Sequence, residues 1–415
     1  VLTARERNSA LIEAIIADGT LTDAALVEAF RAVPRHLFIP ERGALTPGGD
    51  ALDAAGNPDR WLAAVYTDNA IVTRVEGAPV PRQRGGDRDP ATSCSSAPTV
   101  LARMLEMAGL ANGQRVLEVG TGTGWNTALL AHRLGDAAVT SVEIDERLLL
   151  AARSALREAR LSPDTRLADG VDGCAEAAPF DRIISTCGVR GVPAAWLDQL
   201  AEGGLIVCPW GLLESAGVLM SLAAVEAVGA DAAGGRADAA GGQGDASAGN
   251  TGGSGARAGL RAVGRFRGGV GFVPLRTPGS DAPPVQDSGQ QPDEYRLIQA
   301  DPIAPMLAFS SAFAVSVMVP GWRMRRRWIG TGSGLWLCDG RGGSWVRIYP
   351  YGASWMVEQG GPRSIWDEVE EALALWSRLG EPAPDRFGLA VDTDGGHRVW
   401  LDAPDGRSWP VGPPG

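Results

Sequence analysis

Residues Arg115 to Gly124 read RVLEVGTGTG. Arg115 to Val119 form a short apolar run suited to a buried parallel strand, and Gly120, Gly122 and Gly124 then open a helix over Trp125 to Leu134. Glycines are required where the chain turns sharply and lets a ligand approach its backbone, and the amide end of the following helix offers unpaired N–H groups. A second strand, Ala138 to Val142, ends in Glu143, a carboxylate placed to accept hydrogen bonds from ribose hydroxyls. A glycine turn alone also occurs for purely structural reasons. Strand, turn, helix, strand and acid in that order predict a nucleoside site. The G-x-G-x-G spacing favours S-adenosylmethionine over NAD, whose binders use G-x-G-x-x-G.

The chain has 415 residues, enough for two domains with ordinary cores. No apolar run reaches membrane-spanning length and Thr3 to Ser9 is polar, so a cytoplasmic location without membrane association is expected. The net charge of -11 argues against a nucleic-acid partner. All 38 basic residues are arginine, which reads as the codon bias of a GC-rich genome. Cys94, Cys174, Cys187, Cys208 and Cys338 are scattered without a C-x-x-C pair, so neither a metal site nor a disulfide framework is expected. His36, His132 and His397 leave few candidates for imidazole acid and base chemistry.

Upstream of the glycine turn, Leu11 to Ile16 and Ala24 to Phe30 have helical spacing, the second capped near Asp23. VPRHLFIP, Val33 to Pro40, is bounded by prolines, and Tyr66 to Asn69 reads as a turn. Ser93 to Pro98, SCSSAP, leads into an amphipathic helix over Thr99 to Met107. Spacing alone leaves Ser95 or Ser96 as a helix cap or as part of a site. Downstream, a helix over Leu148 to Ala159 precedes a strand at Thr165 to Ala168 that ends in Asp169 and Gly170. Further strands are predicted at Phe180 to Thr186, Leu205 to Pro209 and Val218 to Val225, with a short helix at Trp196 to Leu200. Alternating strands and helices predict a doubly wound α/β sheet, Rossmann-like, with its ligand at the carboxyl ends of the strands. Arg265 to Leu275 is expected to close it as an edge strand.

The stretch 229–260 is almost entirely Gly, Ala, Asp and Ser, which predicts a disordered insertion within a first domain over 1–278. Proline-rich 279–292 reads as a linker to a smaller α+β domain over 293–415. Nine of the thirteen tryptophans lie in that last part, from Trp322 to Trp409. It carries short alternating strands, a helix over Ile365 to Leu379, and a hairpin of Phe387 to Val391 with Arg398 to Leu401. Arg323, Arg325, Arg326 and Arg327 lie between Trp322 and Trp328, either as a solvated strand end or as a surface for an acidic peptide.

Residues 20 to 275 resemble the protein-L-isoaspartate O-methyltransferases. The resemblance rests on VPRHLF (Val33 to Phe38), SAP (Ser96 to Pro98), VLEVGTGTGWNTALLA (Val116 to Ala131) and SVE (Ser141 to Glu143). It continues through ADG (Ala168 to Gly170), APFDRII (Ala178 to Ile184), LAEGGLIVCPWG (Leu200 to Gly211) and FVPL (Phe272 to Leu275). It implies a class I methyltransferase fold and methyl transfer from S-adenosyl-L-methionine to an aspartyl or isoaspartyl carboxylate. Ser96 matches the family's active-site serine. The implied cofactor set is Glu118, Gly120, Thr121, Gly122, Gly124, Glu143, Ile144, Asp169 and Gly170, with Ser95, Ser96, Thr186 and Cys187 toward the substrate.

Cys94 with Ser95, and the loop Thr186 to Arg190, depart from the family pattern. The long C-terminal part is similar to that of actinobacterial methyltransferases associated with ribosomal peptides such as graspetides and lanthipeptides. That resemblance implies an acidic, macrocyclic precursor peptide as partner and an aspartyl ester collapsing to an aspartimide, by a monomer or homodimer. The alternative it leaves is repair of isoaspartyl residues in damaged proteins.

Overall fold

The computed structural model describes residues 2–75, 91–212, 216–225, 260–276, 291–329, 332–339 and 343–412. The expected insertion and most of the expected linker lie outside these residues.

The chain starts with helices α1 (Ala4–Ala17) and α2 (Ala24–Ala32). Thr3 and Glu6 form a capping box on α1, and the Asp23 carboxylate accepts from the amides of Ala25 and Leu26 on α2. Strands β1 (Arg42–Leu45), β2 (Ala51–Asp53), β3 (Ile71–Val75) and β4 (Ala91–Ser95) form an antiparallel sheet in the order β2-β1-β3-β4. Helix α3 (Pro58–Val65) lies between β2 and β3 in the chain, and α4 (Pro98–Ala108) follows β4.

The central sheet begins with β5 (Val116–Val119), continues into helix α5 (Trp125–Leu134), and returns as β6 (Val139–Glu143). Helix α6 (Glu146–Glu158), capped by Asp145, leads to β7 (Asp164–Leu167), and β8 (Phe180–Ser185) then pairs on the other side of β5. Helix α7 (Ala194–Asp198) leads to β9 (Leu200–Trp210). All pairings from β7 to β9 are parallel, and every residue of β5 and β6 is buried, as a sheet covered on both faces requires.

β10 (Ala216–Ala224) and β11 (Leu260–Gly271) add antiparallel strands. β11 is not an edge. The C-terminal strands β17 (Phe387–Asp392), β18 (His397–Leu401) and β19 (Ser408–Val411) continue the sheet, β17 pairing antiparallel on β11. The result is a ten-stranded sheet in the order β7-β6-β5-β8-β9-β10-β11-β17-β18-β19. The hairpin expected at Phe387 to Leu401 is present, but it belongs to this sheet and not to a separate 293–415 unit. An antiparallel strand with an open edge accepts any partner of matching register and burial, and β17 brings five consecutive buried residues.

The intervening residues form a third sheet, β12 (Glu294–Ile298), β13 (Trp322–Ile329), β14 (Gly332–Asp339), β15 (Trp345–Tyr351) and β16 (Ser354–Gly360), in the order β12-β16-β15-β14-β13. After β12 come the short α8 (Ala304–Leu307) and α9 (Phe309–Met318), and after β16 comes α10 (Ile365–Arg378). The sequence reading had no helix at α9. Its residues from Ser311 to Val317 are all buried, so it lacks the polar stripe that marks a surface helix. One side carries Phe313 against Trp210, Phe266 and Phe387 of the large sheet, at ring separations of 6.3, 5.7 and 5.6 Å. Another carries Val315 and Val319 into the core of the five-stranded sheet. Emptying such a site by Phe→Ala costs about 3–5 kcal/mol. Among the described residues no helix is long and apolar enough to cross a membrane.

Candidate active site

A cleft of about 780 Å³, open on one side, lies where the loops after β5, β6 and β8 meet. β5 has β6 on one side and β8 on the other, and this divergence of connections leaves a crevice at the strand ends. Gly120 and Gly124 have φ of 90° and 89°. A Cβ on Gly120 would stand 2.7 Å from Cys187 Sγ, and one on Gly124 would stand 3.1 Å from the Ala152 Cβ. Both positions therefore demand glycine for conformation and for space.

The loop is tied to β6. Gly120 N and Thr121 N donate to the Val142 carbonyl at 2.9 and 3.2 Å. Gly122 N donates to Glu143 Oε2 at 2.8 Å, and Asp145 N donates to Oε1 at 3.1 Å. Glu143 is thus fixed at the cleft wall with lone pairs left on both oxygens. Ile144 and Leu148 continue that wall with apolar surface, and Gly170 closes it beside Val119 and Leu275.

Three residues of the expected cofactor set, Glu118, Gly124 and Asp169, are not in the cleft lining, Gly124 because it packs on Ala152. Glu118 does not reach the cleft. Strand alternation turns its side chain toward the first turn of α5, where its wholly buried carboxylate accepts from Asn126 Nδ2, Thr127 Oγ1 and Ser141 Oγ at 2.8, 2.5 and 2.6 Å. Desolvation outweighs these donors and pushes its pKa up to about 7. Asp169 is outside the cleft lining because its carboxylate caps the turn that follows, accepting from Val171 N at 3.0 Å.

The expected substrate set shares the same lining. Ser95, Ser96, Thr186 and Cys187 all line the cleft. Neither serine caps α4. The N-cap is Ala97, without a side-chain bond, and the Asp68 carboxylate accepts from Thr99 N at 2.8 Å. Ser95 Oγ is buried without a hydrogen-bond partner among the described residues, a group that a ligand can satisfy. Thr186 Oγ1 donates to the Gly120 carbonyl at 2.8 Å, tying the loop after β8 to the glycine loop. Desolvation pushes the thiols of Cys94 and Cys187 up to about 11 and 12, so both stay protonated at neutral pH.

Residues 272–276, of which 272–275 are expected within an edge strand, form a strap over the cleft. Gly188 N donates to the Val273 carbonyl at 2.9 Å, and Leu275 N donates to the Gly188 carbonyl at 2.8 Å. A Cβ on Gly188 would stand 2.0 Å from the Phe272 ring, which is why the loop can pass beneath it. The strap adds Val273 to Arg276 to the lining.

Sequence reasoning missed the residue that places the serines. Arg35 is wholly buried and donates to the carbonyl oxygens of Val65 and Asn69 at 2.8 and 2.9 Å, and of Thr67 at 3.2 Å. It also donates to those of Ser95 and Ser96 at 3.2 and 2.9 Å. Its guanidinium carbon stands 5.1 Å from the centre of the Trp125 ring. The available signal was one arginine inside the apolar run VPRHLF. The cleft as built can hold a nucleoside along Glu143 and the glycine loop and can position a second ligand by hydroxyls. Among its described residues the one carboxylate, Glu143, is already engaged, and both thiols are neutral. It suits a nucleophile that arrives ionised.

Comparison with known proteins gives a match to the family described as Protein-L-isoaspartate(D-aspartate) O-methyltransferase (PCMT) over residues 64–226. A protein-L-isoaspartate O-methyltransferase from Opitutus terrae is 35% identical over 202 residues, covering 48% of this chain and 71% of that protein. One from Burkholderia lata is 36% identical over 214 residues, covering 51% of this chain and 56% of that protein, a little over half its length. A solved structure titled protein-L-isoaspartate O-methyltransferase aligns with a TM-score of 0.49 at 19% identity, covering 95% of this chain and all 100% of that chain.

Proposed function

The chain belongs to the protein-L-isoaspartate O-methyltransferase family, and on that premise we propose that it methylates the free carboxylate of isoaspartyl residues, using S-adenosyl-L-methionine. The observation that carries this reading is one cleft lined both by a held ribose-type carboxylate, Glu143, and by Ser95 and Ser96.

The residues present fit the cofactor. Gly120 and Gly122 line the cleft without side chains, so backbone forms the loop surface there, and Glu143 keeps acceptor capacity for ribose hydroxyls. Ile144, Leu148 and Gly170 offer the apolar surface an adenine ring needs. When bound, S-adenosylmethionine supplies a methyl group on a positively charged sulfur, open to attack by a carboxylate oxygen. A carboxylate with a pKa near ~4 is ionised at neutral pH, so the protein need supply no base. Its task is alignment in a water-poor site. Ser96, and Ser95 behind it, orient the acceptor oxygen by hydrogen bonding. Cys94 and Cys187, held as thiols, offer no competing thiolate.

A second reading is an aspartate in a constrained ribosomal peptide, whose ester would close to an aspartimide. It is favoured by one fact: the relatives match only about half of this chain, and β12 to β16 lie beyond the matched family region. Tyr295, Leu297 and Tyr351 of that sheet are exposed, a surface suited to a large substrate. Mass spectrometry after incubation with S-adenosylmethionine tests both readings. Methyl gain on plain isoaspartyl peptides supports the first. Gain followed by methanol loss only on a cyclised acidic peptide supports the second, and no gain on either removes the carboxyl-transfer reading.

A further inference from the structure

Of the described residues lining the cleft, Arg276 is the one cation and Glu143 the one anion. Arg276 closes the strap that Leu275 N pins to the Gly188 carbonyl at 2.8 Å, and its charge is felt at Cys187 on the substrate wall. Among the described residues no hydrogen bond or ion pair takes up its guanidinium. An unengaged arginine on a ligand cleft presents a planar fork of donors that matches a carboxylate bidentately. Desolvating an anion in such a cleft is costly unless it is paired, and the hydroxyls of Ser95, Ser96 and Thr186 offer no charge.

We propose that Arg276 is the positioning residue that recognises the substrate's carboxylate, drawing an acidic side chain of the peptide to the serine wall. This rests on the carboxyl-methylating reading above. Its chemistry is selectivity for the anion over a neutral isostere. Glu143, which lines the same cleft, repels that group, so pairing with Arg276 is what makes the anion's entry favourable. Pairing with arginine leaves the carboxylate ionised, as the attack on a methyl group requires.

The test is calorimetric titration of the full chain loaded with S-adenosylhomocysteine, using short peptides bearing aspartate or isoaspartate and their neutral amide counterparts. Wild type should bind the better acid peptide at least about tenfold more tightly than its amide, the size of one charge-assisted pair. Arg276→Leu should erase that preference with little change for the amide, and Arg276→Lys should restore part of it. S-adenosylhomocysteine affinity should stay within about threefold in both variants. An equal preference in Arg276→Leu, or no preference in wild type, overturns the proposal. So does a loss of S-adenosylhomocysteine affinity in Arg276→Leu, which would assign the arginine to the cofactor's own carboxylate. Methyl transfer by wild type is measured in parallel: intact anion preference without transfer would sink the reaction and leave Arg276's role standing.

Discussion

The guanidinium of Arg35 donates to the carbonyl oxygen of Ser96 at 2.9 Å, joining residues 61 apart in the chain. The same group holds the Val65 to Asn69 turn. The position of Ser96 on the cleft is therefore set by a buried cation in the N-terminal segment and not by the helix that follows it.

Arg35→Lys should separate fold from placement. Lysine keeps the charge but not the planar fork that reaches carbonyls on both sides. The variant should fold with stability reduced by a few kcal/mol, on the order of one or two buried carbonyls losing their donors. Turnover should fall about tenfold or more, while S-adenosylhomocysteine affinity changes little. Urea unfolding and single-turnover kinetics check this. Unaltered turnover in a destabilised protein would reduce Arg35 to a structural staple.

Ser96→Ala should lower kcat about tenfold to a hundredfold, the value of one hydrogen bond to a charged group. Cofactor affinity should hold, because the groups assigned to the cofactor are Glu143 and the glycine loop, which this substitution leaves intact. Full activity in this variant, with Ser95 intact, would transfer the orienting role to the buried Ser95 hydroxyl. The double variant would then be the informative one.

Local pattern carried the nucleotide-binding half well. The strand, glycine turn and Glu143 are short-range features, and they stand where spacing put them. Glu118 was misplaced because a motif names residues without saying which face of the strand each one takes. Arg35 and Arg276 went unread because their partners or neighbours lie 30 to 200 positions away, at Val65 for one and on the glycine loop's cleft for the other. The domain border failed for a related reason. Composition marks a linker but not which sheet a later strand will join, and β17 returns to β11. A cut near Gly279 would therefore remove three strands of the central sheet along with the five-stranded sheet.

Glu118 should make stability depend on pH. Its folded pKa, about 7, lies above the ordinary 4.5. The folded state thus holds the proton more tightly, and this contribution is complete below about pH 4.5 and lost as pH rises through 7. The loss is on the order of a few kcal/mol. Unfolding free energy measured from pH 4.5 to 8 should carry this fall, and Glu118→Gln should remove it. Identical pH profiles for both proteins would mean that the three donors hold the carboxylate ionised throughout.

His397 acts in the opposite direction and reaches the site from the far end of the chain. Its Nε2 accepts from Val192 N at 3.1 Å, and Nδ1 donates to the Gly395 carbonyl at 2.9 Å, so the ring must be neutral. Burial lowers its pKa from the ordinary 6.5, with the charge of Asp392 opposing. The stabilising contribution is therefore present above 6.5 and lost as pH falls through the folded value. Val192 lies five residues beyond Cys187, which lines the cleft, so protonation, by removing the acceptor of Val192 N, should loosen that loop. Mild acid should raise KM for the peptide with S-adenosylhomocysteine affinity unchanged. His397→Gln, which can still accept from Val192, should flatten that dependence. A KM equally sensitive to acid in the variant would place the titration elsewhere, and leave β18 as scaffold alone.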